Sequence, residues 1–347
     1  MLIHILILIL CFWLIAVICD EYFVKSLDLI TERLKLPSDV AGATLMAVGS
    51  SAPELFISIF ALIKPGGYEN VGAGTIVGSA LFNILVIVGA SSLFKTAKLT
   101  WQPVLRDMLF YIISIVALYI TFVDGMFEFK ESLGLVFIYV VYIYSVFKWK
   151  SWFPYKDANP IDIVEKQVNK NPIVSTTIFV LSYVIPKPSK KNGNYLKTFL
   201  LSVAFLAFLS YFLVESGVSL GHSLNINPTI IALTILAAGT SVPDLVSSVI
   251  VAKRGKGDMA VANAVGSNIF DILIGLGVPM MLVLGISGKN ISIDNNNLIG
   301  SIILLFATVV AIFTILLVKK WKIGKRAGLL LIILYLAYVL HSALSAI

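Results

Sequence analysis

Ten apolar runs of about 20 residues fill most of this chain, at 2–19, 38–63, 71–94, 107–123, 132–149, 197–218, 229–252, 259–287, 298–318 and 327–346. A helix of that length crosses the hydrocarbon core of a bilayer. In lipid the backbone must satisfy its own polar groups, which leaves helices or a closed barrel. The expected fold is therefore an all-α polytopic membrane protein with ten transmembrane helices. Composition agrees: of 347 residues 59% are hydrophobic and 13% charged, and the mean hydropathy is +0.96. A soluble domain carries about 25% charged residues. Cys11 and Cys19, both in the first run, imply neither a disulfide framework nor a metal cluster. Met1-Leu2-Ile3-His4 lacks a basic leader and a small-residue cleavage site, so the first run is read as a retained span.

The net charge of +7 invites a nucleic-acid reading, but the placement of the 26 Lys and Arg answers it. With the N-terminus outside, the inside connections hold 23 of them, including Lys25, Arg33, Arg106, Lys253 and Lys319. The outside connections hold only Lys64, Lys130 and Lys289. Such a split is a topology signal. The charge is thereby accounted for without nucleic acid, and the expected partners are transported cations and membrane lipid. The polar stretch at 150–196 is expected to be a cytoplasmic loop, with 173–185, too short to span, as an interfacial or docked helix. Glu215 is placed at the outer end of the sixth run as an interfacial anion.

Two blocks of sequence occur twice. Gly49-Ser50-Ser51-Ala52-Pro53-Glu54 matches Gly239-Thr240-Ser241-Val242-Pro243-Asp244 at an offset of 190. Gly78-Ser79-Ala80-Leu81-Phe82-Asn83 matches Gly266-Ser267-Asn268-Ile269-Phe270-Asp271 at an offset of 188. Five spans lie on each side of the central loop, so the second copy enters the membrane from the opposite face. The expected domains are a first five-helix repeat at 1–149, the loop at 150–196 and an inverted second repeat at 197–347. Inverted repeats are a transporter architecture whose substrate site lies near the midplane.

An ionisable side chain at that depth costs about 2.5–3.5 kcal/mol and points to function. Pro53 and Pro243 lack the N–H that a helix would donate four residues back, and Gly49 and Gly239 weaken the helix there. Broken helices at the midplane are expected, with free carbonyls facing a polar cavity. Ser50 and Glu54 share a helix face by their spacing, as do Ser79 and Asn83, Thr240 and Asp244, and Ser267 and Asp271. Every candidate ligand is an oxygen donor. That suits a hard cation such as Ca2+, with Na+ competing for the same oxygens, and disfavours zinc or copper. The plainer reading of each lone Ser or Thr is a bond back to its own helix.

These motifs resemble the alpha-repeats of the cation/calcium exchanger superfamily. Within it, the stretch from Ala41 to Glu54 and the stretch from Gly257 to Asp271 are most similar to the potassium-dependent sodium/calcium exchangers. The resemblance implies a secondary antiporter exchanging Na+ for Ca2+ by alternating access, with or without K+. It has no cofactor and no enzymatic activity, and a monomer suffices. It implies Ca2+ between Glu54 and Asp244, completed by main-chain oxygens of Ser50 and Thr240. Na+ sites use Ala47, Ser51 and Ser79, and Ala237, Ser241 and Ser267, with Asn83 and Asp271 at the centre (Na+ or K+). Spans one and six are expected to slide across the rest. The short central loop leaves no room for a regulatory calcium-binding domain and points to a prokaryotic plasma membrane. A proton-coupled calcium exchanger is the alternative, though the hydroxyls at Ser51, Ser79, Ser241 and Ser267 favour Na+. Gly255-Lys256-Gly257-Asp258 fits an intramembrane aspartyl protease string, but in a short basic loop and without a Tyr-Asp partner.

Overall fold

The computed structural model describes residues 2–34, 36, 40, 42–64, 68–94, 97–155, 172–189, 193–224, 226–253, 257–288, 290–293 and 296–344. Much of the central polar stretch, Ala41, and 255–256 of the protease-like string lie outside the described residues.

The chain is helical almost throughout. In order it forms α1 (Leu2–Leu34), α2 (Gly42–Ser50), α3 (Ala52–Ile63) and α4 (Glu69–Leu93). Strand β1 (Ala97–Lys98), α5 (Trp101–Phe122), β2 (Met126–Phe127), α6 (Phe129–Trp152) and α7 (Pro172–Leu181) follow. Next come α8 (Tyr195–Leu224), α9 (Pro228–Thr240), α10 (Val242–Lys253) and α11 (Met259–Ser287). The chain closes with β3 (Ile291–Ser292), α12 (Asn296–Val318), β4 (Lys322–Ile323) and α13 (Lys325–Leu344).

Among the described residues eight helices are long and apolar enough to cross a membrane, or nine if the pair α2 and α3, bent by 48°, counts as one span. The run at 229–252 is divided at Ser241, where a broken helix is expected, into α9 and α10, each too short to span alone. Gly239 and Pro243 flank that break, as Gly49 and Pro53 flank the one at Ser51.

Several ends differ from the expected runs. α1 continues 15 residues past position 19, because its polar end is still a good helix with Lys25 bound to Glu21 four residues earlier (2.8 Å). At 33 residues it is about 50 Å long. α5 begins at Trp101 rather than 107 and takes Arg106 with it. The expectation that Arg106 belongs to a solvated connection is thus overturned. It is fully buried, its Nε donates to Asp107 Oδ1 at 2.8 Å, and Tyr142 Oη donates to the same carboxylate at 3.2 Å. A buried guanidinium is tolerated only when paired in this way.

Apolar side chains separate into two cores. One joins α1, α3, α7 and α8, with part of α9, through residues such as Ile15, Ile57, Ile178 and Leu213. The other joins α4, α5, α6, α11, α12 and α13 through residues such as Ile76, Met108, Leu135 and Leu305. The interfacial or docked helix expected at 173–185 is α7. It lies along α1, where Tyr22 Oη donates to Ile178 O (3.0 Å) and Trp13 Nε1 to Thr177 Oγ1 (3.3 Å).

α4 is the most enclosed span, with 94% of its apolar window buried against 22% for α13. Its glycines permit this. A Cβ at Gly78 would overlap the carbonyl of Leu233 and come within 2.7 Å of Ala237 Cβ. At the matching position, Gly266 lets α11 approach Ala43 and Ala47 of α2. Each half thereby inserts its small-residue helix against the broken helix of the other. Two short antiparallel ladders also cross between halves: β1 with β4, and β2 with β3.

Candidate cation site

The site assembles at the two helix breaks. Ser51 (φ −85°, ψ 5°) and Ser241 (φ −81°, ψ 2°) sit in the same sparsely used backbone region, where one helix stops and the next starts. Glu54 falls in the first turn of α3 and Asp244 in the first turn of α10. A helix start favours a carboxylate through its exposed N–H groups and macrodipole. Gly49 and Gly239 let rings of α1 approach the backbone just before each break: a Cβ at Gly49 would overlap Phe23, and one at Gly239 would overlap Phe12.

Ser79 and Asn83 lie on α4, and Ser267 and Asp271 on α11. Asn83 and Asp271 each open a π-helical turn, Asn83–Ile87 and Asp271–Leu276. Gly42–Met46 and Ala232–Leu236, just before the breaks, are π-helical too. These four turns keep the repeat offsets of 188 and 190. Such turns gather at functional sites, because the extra residue takes a carbonyl out of the ladder and re-aims a side chain.

The side chains from the two halves interlock. Glu54 Oε1 accepts from Ser79 Oγ (3.3 Å) and Ser241 Oγ (3.4 Å), and those hydroxyls are 2.7 Å apart. Asp244 Oδ1 accepts from Ser267 Oγ (3.1 Å) and Asn263 Nδ2 (3.2 Å), and its Oδ2 from Asn83 Nδ2 (3.2 Å). Ser50 Oγ lies 3.4 Å from Ser267 Oγ. Asn83 also donates to Asn268 Oδ1 (2.9 Å), and Asn268 donates to Tyr111 Oη (2.7 Å) and Ala80 O (3.1 Å).

Ala47, Ser50, Ser51, Glu54, Ser79, Asn83, Ala237, Thr240, Ser241, Asp244, Ser267 and Asp271 are each at most 1% exposed. Ser50 and Thr240 turn their hydroxyls back to their own helices, at Met46 O (2.8 Å) and Leu236 O (3.1 Å). Both the main-chain oxygens and the lone pairs of these hydroxyls are left to face a cation. Ala47 O and Ala237 O accept from the N–H groups of Ser51 (3.1 Å) and Ser241 (3.2 Å).

Buried polar atoms are almost always hydrogen-bonded. Here Ser51 Oγ, Glu54 Oε2, Asn83 Oδ1 and both carboxylate oxygens of Asp271 have no hydrogen-bond partner among the described residues. All five are oxygens, so the donor set fits hard cations. Three or more acidic, His or Cys side chains do not converge on one point among the described residues. Glu54, Asp244 and Asp271 are instead spread through a lattice of hydroxyls and amides.

Sequence reasoning missed Asn263, Asn268 and Tyr111. Asn263 was visible in principle, since it continues the face of Ser267 and Asp271 at four-residue spacing. Tyr111 arrives from another helix with no local signal. Glu215, expected as an interfacial anion, pairs with Lys64 and ties α8 to the end of α3.

A family model described as sodium/calcium exchanger protein matches residues 4–148 and 194–344. Sodium/potassium/calcium exchanger 4 of Homo sapiens is 29% identical, over 98% of this chain and 81% of its own length. Sodium/potassium/calcium exchanger 2 of Gallus gallus is also 29% identical, over 98% of this chain and 77% of its own. Solved structures of the sodium-calcium exchanger NCX_Mj share the fold, with a TM-score of 0.63 at 22% identity, over 97% of this chain and 98% of theirs. With both motif blocks and nearly all the spans inside the matched residues, the chain belongs to the sodium/calcium exchanger protein family.

Proposed function

We propose that this chain is an integral membrane antiporter that exchanges Na+ for Ca2+ by alternating access, and not an enzyme. Its ten crossings would form two inverted five-helix repeats, 1–149 and 197–347, with the N-terminus outside and 150–196 in the cytoplasm. The observation that carries the function is the pair Glu54 and Asp244, fully buried at two matching helix breaks and hydrogen-bonded to hydroxyls and amides from both halves. Ca2+ would lie between these carboxylates with main-chain oxygens of Ser50 and Thr240. Na+ would bind around Ala47, Ser51 and Ser79, and around Ala237, Ser241 and Ser267. Asn83 and Asp271 would form the central site. A monomer holds every one of these groups.

Exchange follows from competition. Several Na+ and one Ca2+ need the same oxygens, so the loads exclude each other. Either load compensates Glu54 and Asp244, and a compensated core can pass between states. Uncompensated, the buried charge opposes the passage. The separation of the apolar side chains into two cores supports α1 and α8 as the sliding pair, since both belong to the same core. The unpartnered oxygens of Asp271, and relatives named for potassium as well as sodium and calcium, support K+ as a further cargo at that residue.

Radiolabelled Ca2+ uptake into Na+-loaded proteoliposomes tests the proposal. Uptake should collapse when Na+ is replaced by choline. Uptake driven by a pH gradient without Na+ would establish the proton-coupled alternative instead.

A further inference from the structure

The two halves of the site match motif for motif, but not one turn further out. Ser248 follows Asp244 by four residues on α10, as Ser58 follows Glu54 on α3. Opposite Ser248 stands Asn263 of α11; opposite Ser58, at the repeat offset of 188, the residue is Thr75. Thr75 turns its hydroxyl to Val71 O at 2.8 Å, along its own helix, and brings no amide to that place. Asn263 is fully buried, and its Nδ2 donates to Asp244 Oδ1 (3.2 Å) and to Ser248 Oγ (3.1 Å). Its Oδ1 has no hydrogen-bond partner among the described residues. An amide oxygen enclosed without a donor, beside a carboxylate that is itself a candidate ligand, calls for a positive partner.

We infer that Asn263, Ser248 and Asp244 form a further cation subsite that the first half of the protein lacks. The amide terminus rotates in a broad, roughly two-fold well. A half-turn brings Oδ1 to where Nδ2 now stands, beside Asp244 Oδ1 and Ser248 Oγ. The result is a carboxylate, an amide and a hydroxyl oxygen carrying one negative charge. One charge suits a monovalent hard cation, Na+, better than Ca2+, whose affinity rises with the number of charged ligands. The subsite lies one turn from Asp244 towards the 254–256 connection, which the topology proposed above places in the cytoplasm. It is a staging point for Na+ between the central site and that face, with no equivalent on the other face. This inference rests on the exchanger reading.

The test is exchange in proteoliposomes of defined orientation, with half-saturating Na+ measured separately on each face. Asn263→Thr installs the residue of the first half, a smaller side chain known to fit its own copy of the fold. It should raise half-saturating Na+ about tenfold at the face of the 254–256 connection, the scale on which groups supporting a metal ligand act. The opposite face should be unchanged, which also certifies folding. Asn263→Asp, which keeps an oxygen at the position, should not raise it. An equal rise on both faces, or none on either, overturns the subsite while leaving the exchanger intact. Wild-type protein with no Na+-dependent flux would remove the exchanger reading itself.

Discussion

Glu54→Gln should change stability in opposite directions with and without Ca2+. Glu54 is fully buried, Oε1 accepts from Ser79 and Ser241, and Oε2 has no hydrogen-bond partner among the described residues. Glutamine keeps the shape and the accepting oxygen. In alkaline buffer without metal it relieves a buried charge that costs about 2.5–3.5 kcal/mol at mid-membrane. Against this, the new NH2 takes the place of Oε2 and lacks an acceptor, at about 1–3 kcal/mol. The difference runs from about −0.5 to about 2.5 kcal/mol, which leaves the metal-free variant about as stable as wild type or more so. With Ca2+ at a hundred times its dissociation constant, wild type should gain about 2.7 kcal/mol by mass action and the variant almost nothing. Thermal unfolding of the purified protein in choline buffer, with and without Ca2+, reads both effects. A metal-free variant clearly less stable than wild type would refute the charge argument. A variant that Ca2+ still protects would refute the assignment of Glu54 as a ligand.

Further predictions concern separate parts of the structure. Gly239→Ala places a methyl group in the ring of Phe12, and overpacking of this kind costs about 1–3 kcal/mol. Turnover in a flux assay should fall several-fold while the protein still inserts; an unchanged rate would mean that the contact between α1 and the break is dispensable. Asp271→Asn should abolish any K+ dependence of Ca2+ uptake, and K+ stimulation surviving in the variant would place K+ elsewhere. Lys64→Ala removes an ion pair that is partly exposed at both ends, so the melting temperature should hold to within about 1 kcal/mol of stability. A larger loss would show that the tie between α3 and α8 carries weight.

Much of the site was legible because the chain states it twice. The two motif blocks name Glu54, Asp244, Ser79, Ser241, Ser267, Asn83 and Asp271, and the structure gathers all but Asp271 into two hydrogen-bonded clusters, Glu54 with Ser79 and Ser241, and Asp244 with Ser267 and Asn83, with Asp271 buried as well. The helix breaks were legible from the Gly and Pro flanking Ser51 and Ser241, and their offset fixed where the second had to fall. The π-helical turns were not legible, since Asn83-Ile84-Leu85-Val86-Ile87 differs in no compositional way from ordinary helix. Tyr111 and Asn268 meet across 157 residues, a contact that no local pattern encodes. The buried pairing of Arg106 was hidden for a related reason: hydropathy alone ends the span where the charges start. The guanidinium and its carboxylate neighbour are adjacent in sequence, and together they enter as a compensated unit.

The central claim is that Na+ and Ca2+ compete for one set of oxygens. Equilibrium Ca2+ binding to the purified protein, titrated at rising Na+ with ionic strength held by choline, tests it most directly. Half-saturating Ca2+ should rise more steeply than in proportion to Na+, because several Na+ displace one Ca2+, while the binding capacity stays constant. Half-saturating Ca2+ that does not move with Na+, or capacity that falls while affinity is unchanged, would contradict the account.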